Sequence, residues 1–123
     1  MSAWIGELDT RLVADDESGK FQLLAAFGYQ SDVAGITITV PVGFETDFCS
    51  VPRVPIAYDL LGNRARKAGT IHDFLYTSHL VSRQLADEVL REMLLLEGVD
   101  HQEAMAFYLA VRACGGSHWG PTV

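Results

Sequence analysis

The spacing of apolar residues changes period partway along the chain, and this limits the folds open to it. From Ile36 to Val40 the sequence alternates strictly, with Ile36, Ile38 and Val40 on one side and Thr37 and Thr39 on the other. Phe21, Leu23, Ala25, Phe27 and Tyr29 keep the same two-residue step across Phe21 to Ser31. That step belongs to a pleated strand with one covered face. Asp32-Val33-Ala34-Gly35 lies between the two runs and reads as a turn, which predicts a β-hairpin. Pro41 and Gly43 end or bend the second strand. A weaker strand signal lies near Arg11 to Ala14.

From about Asn63 the apolar step lengthens to that of a helix. Ala65 to Tyr76 is predicted as the first helix. Ser82 is the expected N-cap of a second, running to Glu97 with Leu85, Val89, Met93 and Leu96 inward and Gly98 at C′. Asp100 is expected to cap a third, with Glu103 at N3. Ala104, Phe107, Tyr108 and Val111 give its apolar face, and Gly115 and Gly116 stop it. Pro52 and Pro55 make Asp47 to Ile56 a loop. Strands followed by helices predict an α+β domain: an antiparallel hairpin or small sheet within residues 1–56, packed against three helices within residues 63–116. A chain of 123 residues has room for one such core and no second domain.

The formal net charge of −7 argues against nonspecific nucleic-acid binding, where phosphate neutralisation supplies most of the affinity. Arg64, Arg66 and Lys67, with Arg53 upstream, read as a solvated helix start or a local anion-binding patch. Cys49 and Cys114 share no CxxC spacing, so two free thiols in a reducing compartment are expected. They read as small apolar residues, or as a soft site with His118. No signal-peptide pattern is visible, and no apolar run approaches the roughly 20 residues of a membrane span, so a soluble protein made in the cytosol is expected. Trp119 is expected to pack back on the domain or to meet a partner.

The candidate chemistry gathers at His72-Asp73-Phe74-Leu75-Tyr76. His72 and Tyr76 are four apart and share a helix face, which His79 joins if the helix persists. Asp73 lies about 100° round from His72. On the second helix, Asp87 falls near the apolar face, where a carboxylate is costly unless paired. His72 is its natural partner. Such an Asp fixes the imidazole tautomer and raises its basicity, and the imidazole then takes a proton from water or a substrate hydroxyl. The same pair can instead only satisfy two polar groups between packed helices. Catalysis requires an open pocket at His72, whereas a brace would be sealed by Phe74, Tyr76 and Phe107. A second constellation runs from Gly43 to Arg53. There Asp47 and Ser50 cap local backbone and Arg53 pairs with a carboxylate, or Asp47 joins Asp73, Asp87 and His72 as an oxygen-rich site for a hard divalent ion.

With these residues in view, the chain resembles a family of small phage and prophage proteins, domain of unknown function family 1353. The matching features are Val40-Pro41-Val42-Gly43-Phe44, Thr46-Asp47-Phe48-Cys49-Ser50-Val51-Pro52-Arg53, His72 to Tyr76, Ser82-Arg83, Ala86-Asp87, then Tyr108, Val111, Arg112 and Gly115 through Trp119. The resemblance implies a bacteriophage origin among tail or lysis-associated proteins, synthesis in the host cytoplasm, and other tail or virion proteins or a cell-envelope component as partners. A more distant likeness is to phospholipases of the A2 type, through His-Asp-x-x-Tyr on one helix and an Asp on the next. It implies His72 as general base, Asp73 holding calcium, Asp87 orienting His72 and Tyr76 bracing the carboxylates, with a loop near Asp47 completing the metal site. The glycine-rich calcium loop and flanking cysteines of those enzymes are missing here. Three functions stay open at this level: a hydrolase with a His-Asp centre acting on phospholipid or peptidoglycan, a structural or assembly protein of the phage tail, and a host-interaction protein that acts by binding.

Overall fold

The structure, a computed structural model, describes residues 2–13, 21–46 and 63–119. Among these are six strands: β1 (Ala3–Ile5), β2 (Thr10–Leu12), β3 (Phe21–Leu23), β4 (Phe27–Ser31), β5 (Ile36–Val40) and β6 (Glu45–Thr46). Four helices follow: α1 (Asn63–Ser78), α2 (Arg83–Leu96), α3 (His101–Cys114) and the single turn α4 (Gly116–Trp119). The strands form two antiparallel sheets, ordered β1-β4-β5 and β2-β3-β6. The fold is α+β, with sheets in the first half and helices in the second.

The hairpin β4–β5 pairs Phe27 with Val40 through Ser31 with Ile36. Its turn closes with the Gly35 amide on the Ser31 carbonyl at 3.0 Å, and Gly35 takes the left-handed conformation (φ 68°) that glycine adopts without penalty. The run from Phe21 to Ser31 is not one strand. It turns a corner at residues 24–26, and its two parts join different sheets. The reason is hydrogen bonding: the Leu23 amide donates to Phe44 and the Leu24 amide to Asp9, which ties β3 to other neighbours than β4 has. Leu23, Phe27 and Tyr29 are buried as their alternation predicts, but Ala25, on the corner, is exposed. Ile38 and Val40 are buried, whereas Ile36, at the hairpin end, is on the border of exposure.

Helix α1 starts before Ala65 and extends two residues past Tyr76. His79, in a left-handed conformation, follows it. Ser82 caps α2 by accepting the Leu85 amide at 3.1 Å, and Asp100 caps α3 through the Gln102 amide at 3.1 Å. Gly98 sits past the end of α2 with φ 84°. The buried stripe of α2 is Ala86, Asp87, Val89, Leu90, Met93 and Leu94. Leu96, expected inward, is exposed: it lies about 200° round the helix from Leu94. Gly115 ends α3 as expected, and Gly116 opens the single turn α4.

One core joins the sheets to the helices, with Leu23, Phe27, Tyr29, Ile38 and Val40 meeting Ile71, Leu75, Val89, Met93 and Phe107. Each such burial stabilises by about 1.5–3 kcal/mol. Glu92 of α2 fastens the hairpin to this core. Its Oε1 accepts the Tyr29 and Ser31 hydroxyls at 2.7 and 2.8 Å, and its Oε2 accepts the Val33 amide at 2.8 Å. Burial and the Glu92 carboxylate both push the Tyr29 hydroxyl well above its ordinary value. No helix among the described residues is long and apolar enough to cross a membrane.

Candidate active site

Three polar side chains, Thr70, His72 and Asp87, are fully buried, and the last two face each other. Helical spacing puts His72 of α1 and Asp87 of α2 on the faces that meet, and His72 Nε2 lies 2.8 Å from Asp87 Oδ1. The Tyr76 hydroxyl, one turn along α1, donates to the same oxygen at 2.6 Å. Its ring lies beside the imidazole at 4.3 Å between centroids. Arg112 of α3 donates from Nη1 to Asp87 Oδ2 at 3.0 Å. Asp87 of α2 thus receives donors from both other long helices, α1 and α3.

Burial alone would raise the Asp87 carboxyl, but the hydrogen bonds from His72, Tyr76 and Arg112 outweigh it and hold the group below its ordinary range. Tyr76 moves the other way. Burial, and the bond its hydroxyl donates to Asp87, push it well above the ordinary phenol value. The second imidazole nitrogen, Nδ1, is buried and has no hydrogen-bond partner among the described residues.

Arg83 completes the cluster from outside. Its Nε donates to the Tyr76 oxygen at 3.3 Å, and its Nη2 donates to the Val111 and Arg112 carbonyls at 2.7 and 2.9 Å. Arg83 is the first residue of α2, where the helix dipole disfavours a cation. The carbonyls at the C-terminal end of α3 supply the compensation. Sequence reasoning assigned no role to Arg83, Arg112 or Thr46. A cation at a helix N-terminus was the one local signal for Arg83.

Asp73 is half-buried and accepts a hydrogen bond from the Thr46 hydroxyl of β6. Asp47, Ser50 and Arg53 lie outside the described residues. Among the described residues no three His, Cys, Asp or Glu side chains converge as a metal site. Phe74, expected to seal His72, packs edge-on against Phe44 at 5.5 Å. His79 stacks on Trp119 at 3.9 Å, its Nε2 lies 2.7 Å from the Trp119 carbonyl, and Trp119 meets the Tyr76 ring edge-on at 5.1 Å. Trp119 thus packs back on α1 and the residue that follows it.

Fold and site define a class of protein: an α+β domain whose helices converge on a buried His-Asp pair, braced by a tyrosine and two arginines. The chain belongs to a family described as proteins of unknown function, DUF1353, whose model matches residues 21–111. That span runs from β3 into α3 and contains His72, Tyr76, Arg83 and Asp87. Comparison with curated proteins and with solved structures gave no match.

Proposed function

We propose that the protein is a bacteriophage tail-associated hydrolase whose His72–Asp87 pair activates water against an ester or amide of the cell envelope, in phospholipid or in peptidoglycan. The observation that carries this reading is His72 Nδ1, buried and without a hydrogen-bond partner among the described residues. Buried polar atoms are normally paired, and one left unpaired costs about 1–3 kcal/mol. With Nε2–H held by Asp87, Nδ1 presents a lone pair, and this reading requires a motion that admits water to the enclosed His72, from which Nδ1 takes a proton. The hydroxide attacks the carbonyl carbon, and the proton passes to the leaving alcohol or amine. The phage setting and the envelope substrate come from the resemblance to phage and prophage proteins.

A second reading is favoured by one observation: His72 has 0% of its surface exposed. On that reading the cluster staples three helices in a non-enzymatic structural or assembly protein of the tail. The two separate in one experiment. Wild type, His72→Gln and Asp87→Asn are assayed for release from phospholipid vesicles and from purified peptidoglycan, with circular dichroism melts alongside. Hydrolysis by wild type that is lost in a folded His72→Gln variant is the expected outcome. A wild type that is inert on both substrates rejects the enzyme and leaves the staple.

A further inference from the structure

The charge arithmetic around Asp87 leads beyond the His-Asp pair. A buried carboxylate needs a counter-charge, and two cationic candidates touch it. His72 approaches Oδ1, and Arg112 approaches Oδ2. Arg112 is always charged and is 32% exposed, so one end of its guanidinium keeps its hydration while the other meets Asp87. Among the described residues, the other groups bonded into the cluster add no anion: Tyr76 donates its proton to Asp87, and Arg83 donates to Tyr76. A protonated His72 would also carry an N–H at Nδ1, where no acceptor lies among the described residues.

We propose that Arg112 is a positioning residue: it serves as the counter-ion of Asp87, so that His72 sits neutral, as the Nε2–H tautomer, with its Nδ1 lone pair free. Arg83 supports the arrangement. By donating to the Tyr76 oxygen it fixes the direction of the hydroxyl proton toward Asp87, and by holding the Val111 and Arg112 carbonyls it anchors the end of α3 that carries Arg112. Gly115 keeps the space open, since a Cβ there would lie 2.6 Å from the Tyr76 oxygen and 3.3 Å from Arg83 Nη2. The proposal deepens the hydrolytic reading, because a free Nδ1 lone pair is what a general base requires, but its test does not depend on any activity.

The test is nitrogen NMR of His72 in the full chain at neutral pH, with ¹⁵N-labelled histidine, assigned by the His72→Gln variant. Wild type is expected to show one protonated and one unprotonated ring nitrogen, with the proton on Nε2. Arg112→Met is expected to move the Nδ1 resonance most of the way to the protonated position, as His72 takes over as counter-ion. Arg112→Lys is expected to restore the wild-type spectrum. A wild-type His72 that is already doubly protonated, or protonated on Nδ1 alone, overturns the proposal whether or not any variant folds. A folded Arg112→Met variant with unchanged ring nitrogens overturns it too. The expected spectra in a protein inert on every substrate would uphold the charge assignment and reject the hydrolytic reading.

Discussion

Replacing Asp87 by Asn keeps the shape of the side chain and removes its charge. One amide oxygen can keep the place of Oδ1 and still accept from His72 and Tyr76. The amide nitrogen then takes the place of Oδ2 and turns its protons toward the Arg112 guanidinium, which donates across 3.0 Å in the wild type. Hydrogen bonds to a charged acceptor are worth about 1.5–3 kcal/mol and neutral ones about 0.5–1.5 kcal/mol. Two bonds are therefore weakened by about 1 kcal/mol each. The third is lost, discounted because Arg112 is one-third exposed and can rehydrate. The expected loss is about 3 kcal/mol. With a urea dependence of about 2 kcal/mol per molar, the unfolding midpoint falls by roughly 1.5 M. The acid side gives an independent check. The folded-state carboxyl lies below its ordinary value of 3.8, so its stabilisation is full above about pH 4 and is lost as pH falls through the folded value. The wild-type advantage over Asp87→Asn must shrink in acid. Equal urea midpoints at pH 7, or a difference that persists unchanged below pH 3, would refute the claim that an ionised Asp87 holds the three helices together.

Two further predictions concern packing around the cluster and the hairpin. Gly115→Ala places a Cβ 2.5 Å from the Val111 carbonyl and 2.6 Å from the Tyr76 oxygen, so it should cost about 1–3 kcal/mol and disturb the Tyr76 ring signals. Gly98→Ala enters open space at φ 84° and should cost only about 1 kcal/mol, a contrast that thermal melts would detect. Glu92→Gln leaves one oxygen for three donors and should destabilise by about 1–2 kcal/mol. Hydrogen exchange at the Val33 amide should quicken by at least tenfold, and unchanged exchange would mean that Glu92 does not fasten the turn.

The features that were legible in the sequence are those set within a few residues. The change of apolar period, the Asp32–Gly35 turn, the Ser82 and Asp100 caps and the glycine after α2 each follow from local backbone geometry and local hydrogen bonding. So does the placing of His72 and Tyr76 on one face, and of Asp87 on the buried stripe of the next helix. The break of Phe21 to Ser31 into two strands was not legible, because the parity of buried residues continues through the corner from Leu23 to Phe27. What divides the run is the choice of neighbours, Phe44 and Asp9 on one side and Trp4 and Ile38 on the other.

Sequence alone thus determined the class of fold and the His-Asp pair at its centre, because helical and strand periods declare which side of each element is buried. Only the tertiary structure decided which groups meet that pair. In the sequence Arg112 looks like an ordinary helix-end cation, Arg83 like one at the wrong end of its helix, and Glu92 like a solvated carboxylate. Their roles come from partners as many as 63 residues away, Tyr29 for Glu92 being the farthest of these. A buried charge takes its counter-ion from whichever element packs nearest, and that is settled by the packing of helices and sheets rather than by any local pattern.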